Sequence, residues 1–183
     1  MKKKLSVLLL ALMSISLLIA CSPKDNGDGG KGEEVKDVDI KAVHSAVKEE
    51  YGEDYIPSME LTLDDLVART KVNKDNVEEF IAEVPMMSTH VDEFIAVKAV
   101  EGKGEEVAKA LEAYRDYLNE NSLQYPMNIA KVKAAKVIRH GDYAFFTMLG
   151  KFDQAEDQSE EDALKFAEAE NKRAEDAING FFK

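Results

Sequence analysis

Lys136-Val137-Ile138-Arg139-His140-Gly141-Asp142-Tyr143-Ala144-Phe145-Phe146-Thr147-Met148-Leu149 is the stretch that decides the fold. Two runs rich in β-branched and aromatic residues flank Gly141-Asp142, a pair that reads as a two-residue hairpin turn with glycine first. Such a turn pairs His140 with Tyr143 and Val137 with Phe146. With period-2 alternation, Val137 and Phe146 then share one face while Ile138 and Phe145 share the other. Apolar side chains on both faces predict a central place in a sheet covered on both sides.

Working outward, Gly102-Lys103-Gly104 breaks the chain ahead of Val107, Leu111, Tyr114 and Leu118, whose spacing predicts a helix over 104–121. Upstream, Val77 to Val84 and Phe94 to Val100 read as two adjacent antiparallel strands separated by a loop containing Pro85. Ile40, Val43, Val47 and Tyr51 lie on one helical face that Gly52 stops, and Thr62 with Asp64 and Asp65 opens a short capped helix. A short helical turn is expected over 130–133. A last helix carries Leu164, Ala167, Ala174, Ile178 and Phe181 on one side. The expected class is α+β: a four-stranded, mostly antiparallel sheet built from two hairpins, with helices packed on it. The helix over 104–121 is able to join its flanking strands in parallel.

The segments Phe94-Ile95-Ala96-Val97-Lys98-Ala99, Gly102-Lys103, Ala110-Leu111-Glu112-Ala113-Tyr114-Arg115-Asp116-Tyr117-Leu118, Gln124-Tyr125-Pro126-Met127-Asn128 and Arg139-His140-Gly141-Asp142-Tyr143 resemble an uncharacterised family of Gram-positive surface lipoproteins, catalogued as a domain of unknown function. The resemblance spans roughly Val43 to Gly150 and implies no activity, ligand or catalytic residue.

The N-terminus carries a second resemblance. Lys2-Lys3-Lys4 precedes an uncharged apolar run from Leu5 to Ala20, the layout of an export signal. That run is shorter than the ~20 residues a spanning helix needs, and serines interrupt it. Leu18-Ile19-Ala20-Cys21 resembles the lipobox of bacterial lipoproteins. The resemblance implies cleavage before Cys21, a diacylglyceryl thioether on its sulfur and, with a further acyl chain such as palmitate, stable anchoring on the extracytoplasmic face. The expected organisation is a signal peptide over 1–20, the lipidated cysteine and a flexible tether over 21–36, and one domain over 37–183. Cys21 is the only cysteine, so the domain has no disulfide to lean on.

The chain of 183 residues is 45% hydrophobic and 33% charged, as in ordinary globular proteins, with a formal charge of -12. Such acidity argues against nucleic acid as a partner, and against direct binding of anionic headgroups. The expected partners are the membrane, through the lipid, and an extracytoplasmic protein or small ligand.

Chemistry-bearing residues are few. Asp25, Asn26 and Asp28 lack the spacing of a calcium loop. No nucleophile-elbow pattern accompanies the histidines. His44 falls on a helical apolar stripe and reads as a partly buried ring bonded to a neighbour. Pro85-Met86-Met87-Ser88-Thr89-His90-Val91-Asp92 is the richest cluster, and thioethers with imidazole suit cuprous copper, so Met86, Met87, His90 and Met127 form a candidate metal set. Methionine as a filler of core gaps explains the same residues. Tyr114 belongs to a buried stripe, whereas His90, Tyr117 and Tyr125 are candidate contacts for a ligand or partner. Two functional readings stand: a non-catalytic binding module without a cofactor, or an envelope metal-handling protein or hydrolase centred on His90.

Overall fold

The computed structural model describes residues 37–153 and 159–183; the segments expected to be a signal peptide, a lipidated Cys21 and a tether lie outside them. The chain runs α1 (Ile40–Tyr51), β1 (Met59–Glu60), α2 (Leu63–Thr70), β2 (Val77–Val84), β3 (Glu93–Ala99), α3 (Gly104–Asn121), α4 (Ile129–Lys133), β4 (Lys136–His140), β5 (Tyr143–Met148) and α5 (Glu160–Gly180). Single 3-10 turns at Gly52–Asp54, Lys74–Asn76 and Pro126–Asn128 link them.

The five strands form one open sheet in the order β1-β2-β3-β5-β4, every neighbouring pair antiparallel. Four strands were expected; the fifth is β1, a two-residue edge strand whose ladder is lengthened by Ser58 N–H to Val84 O and Leu61 N–H to Ala82 O. Two residues are too few for a period-2 pattern, so nothing local marks them as a strand. The hairpin register is the expected one, with His140 opposite Tyr143 and Val137 opposite Phe146. Gly141 takes φ 56°, the left-handed backbone a glycine-first turn requires.

The expectation of a central hairpin holds for half of it. β5 is buried along its whole length between β3 and β4, while β4 is an edge strand. Consequently α3 does not join adjacent parallel strands: β3 and β4 run the same way, but β5 folds back from the tight turn into the gap between them.

Alternation along the strands creates two cores. Ile95, Val97, Ala144 and Phe146 meet Leu66 of α2 and Val107 and Leu111 of α3 on one face. Phe94, Ala96, Ile138 and Phe145 meet Val43 and Val47 of α1 and Ala174 and Ile178 of α5 on the other. Each fully buried aliphatic or aromatic side chain stabilises by roughly 1.5–3 kcal/mol relative to exposure. Both cores are built from residues between Val38 and Phe182, so the chain from Ser22 onward carries everything they need.

Side chains distant in sequence lock the ends. Asp142, at the hairpin tip, accepts the N–H groups of Gly102 and Gly104, each at 2.9 Å, and so caps an α3 whose own N-cap residue, Lys103, supplies no side-chain bond. A Cβ on Gly104 would stand 2.1 Å from the carbonyl oxygen of Gly141, so only glycine lets the two turns touch. On α5, Asn171 occupies the buried stripe between Ala167 and Ala174. Its amide donates to the carbonyls of Ala134 and Thr147 and its oxygen accepts from Leu149 N–H, tying α5 to β5 and to the residues ahead of β4.

Candidate ligand-binding groove

Helix α2 begins in a capping box, with Thr62 accepting from Asp65 N–H while the Asp65 carboxylate accepts from Thr62 N–H. Leu66 and Thr70 turn into the sheet, which leaves Ala68, Arg69 and Lys71 beside α3. On α3 the stripe Val107, Leu111 and Tyr114 faces the sheet, and Ala110, Ala113 and Tyr117 border it. The two short side chains of Ala110 and Ala113 leave space between the helices, a groove of about 580 Å³ walled by Tyr117 and Leu118. That volume lies within the range of about 300–1,000 Å³ typical of small-molecule sites.

Beneath the groove runs a polar chain. Arg69 Nη1 donates to the Tyr114 hydroxyl at 3.0 Å, and that hydroxyl donates to Glu93 Oε2 at 2.8 Å. Arg69 Nε stands 3.7 Å from Glu93 Oε1. Glu93, first residue of β3, is 2% exposed, and its Oε1 has no hydrogen-bond partner among the described residues. Burial pushes its carboxyl up to about 7, against the opposing pull of the Arg69 charge and the Tyr114 hydrogen bond. Burial also raises the Tyr114 phenol above its ordinary range, the Glu93 charge adding to it.

A second cluster surrounds Lys131 of α4. Its ammonium donates to Asp92 Oδ1 and to Gly150 O, both at 2.6 Å, and lies 4.3 Å from the centre of the Phe152 ring. Burial raises Asp92 and lowers Lys131, each shift opposed by the partner's charge. His90 Nδ1 lies 3.7 Å from Asp92 Oδ2, and neither atom has a hydrogen-bond partner among the described residues. His90 borders a cleft of about 290 Å³ with Asp54, Ile56 and Phe152. Met127 and Lys131 border a neighbouring cleft of about 180 Å³, and Phe152 lines both.

The loops that carry Met127 and His90 do touch, since Asn128 Nδ2 donates to Thr89 O at 3.1 Å. His90 and Met127 face different clefts, and Met86 and Met87 are 79% and 60% exposed. Among the described residues no group of three or more histidine, cysteine or acidic side chains could hold a metal ion. Tyr117 lines the groove, half-exposed; Tyr125 is exposed ahead of the Pro126–Asn128 turn and does not.

His44 is the bonded ring expected from its stripe: it stacks on Phe94 at 5.2 Å, with Nε2 3.0 Å from Glu83 Oε2. His140 is likewise engaged, 2.7 Å from Asn179 Oδ1 and stacked on Phe182. Sequence reasoning missed Arg69, Glu93 and Lys131, and it met Asp92 only as the end of the Pro85–Asp92 cluster, with no role. The one available signal was Asp92-Glu93 placed directly against the apolar run Phe94-Ile95-Ala96-Val97, where two acids are hard to solvate.

The fold and groove define a class: an α+β domain with helices on both faces of an open antiparallel five-stranded sheet, and a ligand-sized groove between two of them. The chain belongs to the family described as Domain of unknown function (DUF4358), whose model matches residues 50–149. The match takes in all five strands and α2 to α4, so Arg69, Glu93, Tyr114 and the whole groove lie inside it, while α5 and nearly all of α1 lie outside. No curated protein and no solved structure matches the chain.

Proposed function

We propose that this chain is a lipoprotein held on the extracytoplasmic face of a cell membrane through lipid on Cys21, and that its domain binds a small ligand without catalysing a reaction. The lipobox-like Leu18-Ile19-Ala20-Cys21 supports the anchor. The groove between α2 and α3 carries the binding reading: a ligand-sized, largely apolar space with a few polar groups at its base, the usual anatomy of such sites. No helix among the described residues is long and apolar enough to cross a membrane.

Two experiments test the two halves. Cys21→Ala should abolish incorporation of labelled palmitate in the native cells; undiminished labelling would refute the anchor. The chain from Ser22 to Lys183 should bind the neutral fluorophore N-phenyl-1-naphthylamine saturably at one site, and Ala113→Trp, which fills the groove, should remove that binding. Binding that is absent, or indifferent to Ala113→Trp, would refute the groove.

The competing reading, copper handling or hydrolysis at His90, has one observation in its favour, the acid 3.7 Å from the imidazole. Lys131 already engages that acid. The reading requires copper retention by the domain under reducing conditions, lost on combined His90→Ala and Met86→Ala.

A further inference from the structure

We infer that the ligand of the α2/α3 groove is an anionic amphiphile, a small molecule with one negatively charged group on a flat or linear apolar body. This rests on the groove as the binding site and adds the chemical class of the occupant.

The first observation is charge. Across the chain 36 acidic side chains outnumber 24 basic ones, yet the lining of this groove contains Arg69 and Lys71 and, among the described residues, no carboxylate. In so acidic a protein, an opening whose charged lining residues are both cations attracts anions that the rest of the surface repels. The second observation is the use made of Arg69. A guanidinium has five N–H donors in a planar fork suited to carboxylate, sulfonate or phosphate oxygens. Here one hydrogen bond, to the Tyr114 hydroxyl, accounts for its donors, and the nearest acid stands at 3.7 Å from Nε, beyond hydrogen-bond length. The side chain lines the groove and is 39% exposed.

The third observation is the buried partner. Glu93 and Tyr114 grip Arg69 from below, so its orientation is set before a ligand arrives and less freedom is lost on binding. Glu93 offsets one positive charge, and Lys71 keeps the lining cationic even when that carboxylate is ionised. The apolar part of the ligand has Ala110 and Ala113 for a floor and Tyr117 and Leu118 for walls.

The test uses two probes with the same aromatic body: 1-anilinonaphthalene-8-sulfonate, which carries a negative charge, and the neutral N-phenyl-1-naphthylamine. Both are titrated by fluorescence into the chain from Ser22 to Lys183. The sulfonate should bind about tenfold more tightly, the scale of one charge-assisted hydrogen bond. Arg69→Gln should bring the ratio of the two affinities down to about one. Should that variant fail to melt cooperatively, exposed Lys71→Gln replaces it, with a drop of about threefold for the sulfonate alone. Equal affinities for the two probes, or a sulfonate affinity untouched by the charge substitution, would overturn the anion assignment and leave the groove standing. Binding of both probes that survives Ala113→Trp would overturn the groove itself.

Discussion

Glu83 on β2 sits opposite Phe94 in the register, so Glu93, one residue earlier on β3, points to the other face of the sheet. The two carboxylates are buried almost equally, at 4% and 2% exposure, yet their surroundings differ. Glu83 is enclosed on the α1 side: Oε2 accepts from Tyr55 at 2.9 Å and lies 3.0 Å from His44 Nε2, and Oε1 is 3.6 Å from Lys48 Nζ. Glu93 has Tyr114 on one oxygen and only the more distant Arg69 on the other, and both of those side chains border a groove. A carboxylate with two close polar partners on one oxygen and a helix ammonium near the other fastens a helix to a sheet. One left incompletely paired beneath an opening holds a cation ready there, at a cost in stability.

The sharpest way to break this contrast is to remove the enclosed acid. Glu83→Ala leaves His44, Tyr55 and Lys48 without their shared acceptor and should cost about 4 kcal/mol in urea denaturation at pH 7. A cost below about 1 kcal/mol would mean that the cluster fastens nothing.

The next effect lies on the other face and depends on pH. Glu93 stands at about 7 in the folded protein and near its ordinary 4.5 when unfolded, so its neutral form is the one the fold favours. The stability it contributes is therefore complete below about pH 4.5 and is lost as pH rises through 7, reaching about 3 kcal/mol by pH 8 and above. Glu93→Gln should remove that loss. Thermal melts of the two proteins between pH 5 and pH 8.5 should diverge in favour of the variant as pH rises, and parallel curves would contradict the under-paired state of Glu93.

The smallest effect separates the two tyrosines that serve these acids. Tyr114→Phe takes from the Glu93 carboxylate the one hydrogen bond it accepts among the described residues and should cost about 2 kcal/mol, whereas Tyr55→Phe leaves Glu83 with His44 and should cost about 1 kcal/mol. Denaturation midpoints rank the pair, and a reversed order would erase the distinction.

The two faces were unequally legible. Ile40, Val43, Val47 and Tyr51 announced α1, and Val107, Leu111 and Tyr114 announced α3, because their spacing records which side of a helix must leave water. His44 could be placed for the same reason: it shares the α1 stripe. Tyr117 was picked out as a surface aromatic, and it does line the groove. Its companions were not. Arg69 and Glu93 are charged, and a charged residue in a sequence reads as solvent-facing unless a partner is visible; these partners stand 24 residues from each other and 45 and 21 from Tyr114. Asn171 escaped notice likewise, although its place between Ala167 and Ala174 was a local sign of burial.

Amino-acid order alone settled whatever depends on neighbours within a turn or two: the helical stripes, the capped start of α2 at Thr62, and the glycine-first hairpin and its register. Only the assembled chain decided that β5 lies between β3 and β4, that a two-residue strand edges the sheet, and that Arg69, Tyr114 and Glu93 meet beneath one groove. The reason is physical. Periodicity reports whether a side chain leaves water, but a buried charge is tolerable only beside the partner that tertiary packing brings to it.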